Sequence, residues 1–240
     1  MKFIPRLKEL ITGRQSLNSA DAYNKWAENY DEEQNNLMLY YDKIILSAIL
    51  NKVDPTGKNI LDYGCGTGRN WKEILNNSGM ITGCDISKEM LERLKIKYPD
   101  ADVHLLKNDK LTFLPDNSVD ILISTLVVAH IKNLEPIFIE WDRVIKENGE
   151  IIITDFHPTL LEKGGERTFN HKNEIFKIKN YIHNISEIVN LLGKFGFRRI
   201  QLIEQNINEE VRPFYESRNS VKVYEKFYNS PFIYGILLRR

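Results

Sequence analysis

The densest chemistry in the chain lies at residues 60–70, ILDYGCGTGRN. An acid, Asp62, runs into glycines at 64, 66 and 68, and then into Arg69. A short apolar run at 59–63 precedes them and a helix-compatible stretch at 70–75 follows. The glycines therefore stand between a strand end and a helix start, the crevice where open α/β sheets bind ligands. Glycine reaches positive φ and lets a ligand approach the main chain closely. Three of them here are poorly explained by packing alone. Their spacing also limits the ligand. The dinucleotide fingerprint G-x-G-x-x-G would put its third glycine one residue after Gly68, and the phosphate loop G-x-x-x-x-G-K-[ST] is absent. No basic residue accompanies the glycines before Arg69. A nucleoside-like ligand without a pyrophosphate fits best. Asp85, in TGCDIS, ends the next apolar run about twenty residues on, where a carboxylate accepts ribose hydroxyls. It could instead cap the following helix, but Ser87 can fill that role, which favours the ribose reading.

Other reactive side chains are more scattered. His157, in DFHP, follows a strand at the edge where substrates enter and is the leading candidate for a base or substrate anchor. His130, in VVAHIKNL, is weighed between catalysis and local hydrogen bonding, and His183, in YIHNIS, between the same pocket and a cap or packing role. His104 and His171 read as structural or solvated. Arg167 follows Gly164, Gly165 and Glu166 and could anchor an acidic substrate. Cys65 and Cys84 lack a base at a telling spacing and read as small buried packing residues. No His, Cys or carboxylate pair has metal-ligand spacing, so no metal is expected.

The elements that must position these groups follow from periodicity. Residues 1–57 read as helical: Tyr23, Trp26, Ala27 and Tyr30 recur at three and four in AYNKWAENYDEEQ, and 37–50 carries a wide apolar face. VDPTGK then breaks the pattern. Apolar strands are expected at 59–63, 80–84, 102–106, 119–125 and 150–156, alternating with helices at 70–75, 88–98 and 135–146, with Asn148-Gly149 as the turn into the fifth strand. Such alternation implies a parallel sheet covered on both faces. Residues 157–183 read as an inserted loop and hairpin with its tip at Lys172-Asn173. A helix ended by Gly196 and two further strands (RRIQLIEQNI and FIYGILLRR) complete the chain.

The 240 residues suit one large α/β domain with an appendage. Lys plus Arg and Asp plus Glu are both 33, so net charge is zero, against the basic excess usual for nucleic-acid binders. The N-terminus lacks a signal-peptide pattern, and no apolar run is long enough to span a bilayer. A cytoplasmic protein with reduced thiols is expected. Lys2, Arg6, Lys8 and Arg14, with only Glu9 opposing, punctuate an apolar first helix that could lie weakly on an anionic membrane surface.

D-x-G-C-G-T-G, the acid after the second strand, NDKLTFLPDNSVDILIS and RVIKENGEIIITDF together resemble the class I S-adenosylmethionine-dependent methyltransferases, over roughly residues 20–205. The resemblance implies a Rossmann-like three-layer α/β fold with a seven-stranded, mostly parallel sheet whose last strand is antiparallel. It divides the chain into a helical cap at 1–57 and a cofactor-binding methyltransferase domain at 58–240; within the latter, the insertion at about 157–183, with Gly164-Gly165 as a hinge, reads as a specificity lid or else an ordinary solvated loop. It implies roles by position. Asp62 and the loop of Gly64, Cys65, Gly66 and Gly68 would hold the methionine end of S-adenosyl-L-methionine. Asp85 would bind its ribose, Ile86 would pack on the adenine, and Asn108 or Asp109 would reach the adenine amino group. Ser124 and Leu126 would line the cofactor and substrate mouth, and Tyr30 would sit over the carboxylate or sulfonium, since aromatic faces favour cations. Apart from the resemblance, the residues themselves make His157 and, after it, His130 the candidates for catalysis, and His157, Arg167 and His183 those for substrate contact.

Methyl transfer from a sulfonium is an in-line displacement with a neutral leaving group. Alignment and water exclusion matter most, and a base is needed only where the nucleophile loses a proton. The Asn/Asp-Pro-Pro-Tyr motif of DNA and glutamine N-methylation is replaced by STLV at 124–127, and the Pro-Cys motif of DNA cytosine methylation is missing. A small-molecule acceptor, methylated on oxygen, nitrogen or carbon by a monomer or homodimer, is the favoured reading. The alternatives are an RNA or protein methyltransferase of the same fold and a non-catalytic cofactor-binding scaffold.

Overall fold

The computed structural model describes residues 15–32, 36–75, 80–108, 110–172 and 174–240. A short strand, β1 (Gln15–Leu17), leads into helix α1 (Ser19–Trp26), whose N-cap Asn18 accepts the Asp21 N–H at 2.9 Å. A 3-10 turn at Tyr30–Glu32 precedes α2 (Leu37–Leu50), capped by Asn36. Strands and helices then alternate except between β4 and β5, which no helix separates among the described residues: β2 (Asn59–Tyr63), α3 (Trp71–Leu75), β3 (Met80–Asp85), α4 (Lys88–Lys97), β4 (Asp102–Leu105), β5 (Val119–Thr125), α5 (Glu135–Val144) and β6 (Ile145–Phe156). The insertion supplies α6 (Pro158–Glu162), β7 (Arg167–His171) and β8 (Glu174–Ile178). The chain closes with α7 (Ile185–Gly193), β9 (Arg198–Asn206), α8 (Arg212–Glu216), α9 (Val221–Phe227) and β10 (Pro231–Arg239).

Among the described residues, seven strands form one sheet in the order β4-β3-β2-β5-β6-β10-β9. The pairs from β4 to β6 are parallel, whereas β10 runs antiparallel to both β6 and β9. Three consecutive isoleucines in β6, Ile151 to Ile153, are fully buried, so both faces of the sheet are covered. One covering helix, α2, crosses β10 at Gly235. A Cβ there would lie 2.2 Å from Ile45 Cγ2, so the helix sits this close only over a glycine. Ser87 caps α4 by accepting the Met90 N–H at 3.2 Å, which leaves Asp85 outside the helix.

The N-terminal 57 residues are not wholly helical. Gln15–Leu17 pairs in parallel with β8, and β7 pairs antiparallel with β8, giving a second, three-stranded sheet. The hairpin of the insertion offers an open strand edge, and β1 covers it. The first helix also ends at Trp26, short of Tyr30, which lies on the 3-10 turn. The basic segment carrying Lys2, Arg6, Lys8, Glu9 and Arg14 lies outside the described residues.

Asn148-Gly149 is not a turn between helix and strand. The chain is already extended from Ile145, and pairing with β5 jumps from Val119↔Ile145 to Ile121↔Glu150, so 146–149 bulge out of the ladder. At the tip of the inserted hairpin, Lys172 adopts φ 49°, while Asn173 lies outside the described residues.

The small sheet packs on α1 through aromatic rings. Trp26 stacks on Phe169 at 5.0 Å and meets Tyr30 edge-on at 4.9 Å, and Phe169 stacks on Phe176 at 5.5 Å. Each such pair adds about 0.5–1.5 kcal/mol beyond its buried area. Insertion and N-terminal helix thus share one core above the C-terminal ends of β2 and β3.

Candidate active site

The turn after β2 is held by the next strand. The Gly64 and Cys65 N–H groups both donate to the Cys84 carbonyl, at 2.7 and 3.0 Å. Gly64 has φ +78° and Gly66 φ +53°, a region that side chains rarely enter. The two serve different ends. A Cβ on Gly64 would strike Val127 Cγ2 at 2.3 Å, whereas one on Gly66 would meet nothing within 4 Å. Gly64 is needed for packing, and Gly66 opens space.

That space is a cavity of about 400 Å³ at the strand ends, beneath α1. Of the residues singled out from sequence, Tyr30, Gly64, Gly66, Asp85, Ile86, Leu126 and His130 line it. Asp62, Cys65, Gly68 and Ser124 lie behind the lining. Asp62 accepts the Trp71 Nε1–H at 2.8 Å, Gly68 packs on Leu94, and the Ser124 Oγ is buried without a hydrogen-bond partner. Asn108 is exposed outside the lining, where its Oδ1 accepts the Lys110 N–H, and Asp109 lies outside the described residues. Both cysteines are free and buried, and burial drives their thiol pKa values up.

His157, Arg167 and His183 are not brought to this cavity. His157 is the N-cap of α6. Its Nδ1 accepts the Thr159 N–H at 3.2 Å and its Nε2 faces Glu204 Oε1 at 2.7 Å. Both ring nitrogens are thus engaged by the fold, away from the glycine turn. His183 Nε2 donates to the Ile131 carbonyl at 2.7 Å. Arg167 lies over the Tyr23 ring and lines a second, larger cavity.

Other lining residues were not assigned a role from sequence, among them Ser19, Tyr23, Met90, Thr125, Lys132 and Asn133. Tyr23 had a signal, its place in the α1 stripe, but periodicity assigns a face and cannot tell a core ring from a cavity ring. Its hydroxyl is 2.9 Å from His130 Nε2, and His130 Nδ1 is 3.2 Å from the Lys179 carbonyl. A carbonyl only accepts, so Nδ1 carries the proton and Nε2 accepts from Tyr23. Burial, followed by the Arg167 charge, pushes the His130 pKa down to about 3, so the imidazole is neutral and weakly basic at pH 7. Burial likewise raises the Tyr23 pKa.

Carboxylates crowd the same strand ends. Asp85 accepts the Gly66 N–H on Oδ2 and the Ser87 N–H on Oδ1, both at 2.8 Å. Each oxygen therefore keeps acceptor capacity, and the side chain borders the cavity. Burial raises its pKa to about 6, and that of Asp62 to about 7. Asp155, at the end of β6, also reaches about 6 through burial while accepting the Ala129 and Phe156 N–H groups. Deeper still, Asp42 pairs with Arg69 and accepts from the Thr154 hydroxyl. Burial works against the Arg69 charge, but Asp42 and Tyr30 together outweigh this and raise its pKa. Among the described residues, no three His, Cys, Asp or Glu side chains are grouped to hold a metal ion, and no helix is long and apolar enough to cross a membrane.

A parallel sheet with one antiparallel strand entering next to its edge, a glycine turn after one strand and an acid ending its neighbour define the class I methyltransferase fold. Comparison with known proteins agrees. Residues 61–153, from within β2 to within β6, match the methyltransferase domain family. An uncharacterized methyltransferase from Geobacillus sp. (strain WCH70) is 26% identical over 188 residues, covering 74% of this chain and 85% of the relative. A demethylmenaquinone methyltransferase from Tropheryma whipplei (strain Twist) is 28% identical over 153 residues, 62% of this chain and 64% of that protein. Among solved structures, an S-adenosylmethionine-dependent methyltransferase from Mesorhizobium loti shares the fold with a TM-score of 0.61 at 18% identity, over 81% of this chain and 96% of that one. Residues 61–153 thus match a methyltransferase domain, and the chain shares its fold with S-adenosylmethionine-dependent methyltransferases.

Proposed function

We propose that the cavity beneath α1 binds S-adenosyl-L-methionine and that the chain methylates a small molecule, releasing S-adenosyl-L-homocysteine. The observation that carries this reading is Asp85 beside Gly66: a carboxylate with acceptor capacity on both oxygens, next to a backbone position whose missing side chain leaves open space. A ribose supplies two adjacent hydroxyl donors to such a carboxylate. Ile86, partly exposed and in the lining, offers the apolar surface for an adenine. The Gly64–Gly66 backbone and Leu126 border the methionine end, with Asp62 behind them. The Tyr23 and Tyr30 rings, 6.3 Å apart and edge to face, offer π surface to a cation. In this reading α1 and the small sheet are the cover of a cofactor-binding domain at 58–240.

When bound, the cofactor supplies a sulfonium methyl group whose departure leaves a neutral thioether. The chain's own work is then to align the acceptor and exclude water. His130 is too weak a base to draw a proton from an acceptor at neutral pH, and its hydrogen bond instead fixes the Tyr23 ring. With both its nitrogens engaged elsewhere, His157 takes no part in this proposal. A covered cavity and zero net charge favour a small acceptor over a nucleic acid.

The test is a calorimetric titration with S-adenosyl-L-homocysteine followed by incubation of the full chain with S-adenosyl-L-methionine and pooled small acceptors. Binding with acceptor-dependent release of S-adenosyl-L-homocysteine is expected. Binding without release from any pool would favour a cofactor-binding scaffold, and no binding would sink the reading.

A further inference from the structure

Arg167 is buried to within 4% of complete occlusion, yet neither Nη1 nor Nη2 has a hydrogen-bond partner among the described residues. Its guanidinium carbon lies 5.4 to 5.6 Å from the ring centroids of Trp26, Tyr23 and Phe156. Asp155, the carboxylate whose titration it influences, accepts the Ala129 and Phe156 N–H groups and makes no hydrogen bond to either Nη. Aromatic faces offset only part of the cost of burying a charge, and a buried guanidinium otherwise takes a bidentate anion.

The position of this arginine is equally specific. Tyr23 lines the cavity assigned above to the cofactor, whereas Trp26 and Phe156 line a second cavity of about 770 Å³. Arg167 stands at the wall between the two. Apolar side chains, among them Leu37, Met38, Leu160, Phe227 and Phe232, form the larger part of the second cavity's wall, and Asn29, Asn36, Thr168 and Asn170 add polar groups. Glu166, also in its lining, is paired with Lys177. Arg218 adds a second cation at the exposed mouth, against the Phe214 ring at 4.0 Å.

We propose that this second cavity is the acceptor site and that its substrate class is an amphipathic anion: an apolar body seated among the side chains of α2, α6 and α9, with a carboxylate received by Arg167 beside the first cavity. The proposal rests on the methyl-transfer reading and adds the kind of acceptor. The insertion between β6 and α7 gains a defined task, since β7 exists as a paired strand that carries Arg167 into the wall.

The probes are decanoate and its neutral isostere decanamide, titrated into the full chain with S-adenosyl-L-homocysteine present. Decanoate should bind about 10- to 100-fold more tightly, the worth of a hydrogen bond to a charged group. Arg167→Met should remove that preference and leave S-adenosyl-L-homocysteine affinity unchanged, while Arg167→Lys should keep part of it. Should Arg167→Met fail to fold, Val223→Trp, at the exposed rim, should weaken both probes alike without touching S-adenosyl-L-homocysteine binding. Equal affinity for the two probes in the wild type, a preference that survives Arg167→Met, or probe binding indifferent to Val223→Trp would overturn the proposal. Loss of S-adenosyl-L-homocysteine binding by the wild type with the decanoate preference intact would overturn the methyl-transfer reading and leave the anion site standing.

Discussion

Asp85→Asn separates a ligand-binding carboxylate from one that merely braces the turn. The substitution keeps the shape but leaves one acceptor oxygen facing two backbone donors, Gly66 N–H and Ser87 N–H. Losing one of these bonds costs about 1–3 kcal/mol. Against this, the carboxylate is held in a site that raises its pKa from the usual 3.8 to about 6. At about 1.4 kcal/mol per pH unit that rise is an ionisation penalty of about 3 kcal/mol at neutral pH, which asparagine does not carry. The two effects nearly cancel, so unliganded stability at neutral pH should change by less than about 2 kcal/mol. The sign with pH is fixed. A folded carboxyl that holds its proton more tightly than the unfolded one makes stability fall as pH rises from about 4 to 6. The variant lacks that slope and gains on the wild type across this window. Ligand binding should behave oppositely. Ribose hydroxyls donate to the ionised form, so wild-type affinity for S-adenosyl-L-homocysteine should weaken as pH falls through about 6. The variant should bind about 10- to 100-fold more weakly at neutral pH and lack that dependence. Calorimetric titration at several pH values, paired with thermal unfolding, reads all of this. Wild-type affinity in Asp85→Asn, or parallel pH profiles, would refute the reasoning.

Gly66→Ala should cost about 1–2 kcal/mol for a side chain held at φ +53° and should weaken cofactor binding further by projecting a methyl into the open space, both readable by melting and titration. His157→Ala should lower stability by about 0.5–2 kcal/mol through loss of the α6 cap and leave cofactor affinity unchanged; a drop in affinity on titration would return His157 to the site. Phe169→Ala should cost about 3–5 kcal/mol by opening a hole between the small sheet and α1, and chemical denaturation should show it. Tyr23→Phe leaves the His130 Nε2 without its donor, so a loss of about 1–3 kcal/mol is expected in the same assay.

Local sequence carries the sheet and the cofactor turn well because their signals are local. The run 59–63, the three glycines and Asp85 lie within one strand–helix–strand unit, and Ser87 is identifiable as the cap because capping chemistry spans three residues. The insertion is legible as a hairpin but not as a sheet. Its third strand, Gln15–Leu17, comes from the other end of the chain, and no local pattern predicts that pairing. The histidines divide on the same ground. His157 is placed correctly at the end of a strand, but Glu204, the partner that occupies its Nε2, arrives from β9. Arg167 is visible only as a basic residue in a loop-like stretch. Its burial depends on Trp26 and Tyr23, over 140 positions earlier.

The central claim, that the cavity between the glycine turn and α1 is the cofactor site, is tested most directly by a crystal structure of the full chain with S-adenosyl-L-homocysteine. The account predicts the ribose hydroxyls within hydrogen-bond distance of both Asp85 oxygens and the adenine against Ile86, with Gly66 free of any intervening side chain. A ligand seated in the second cavity against Arg167, or one whose ribose makes no contact with Asp85, would contradict it.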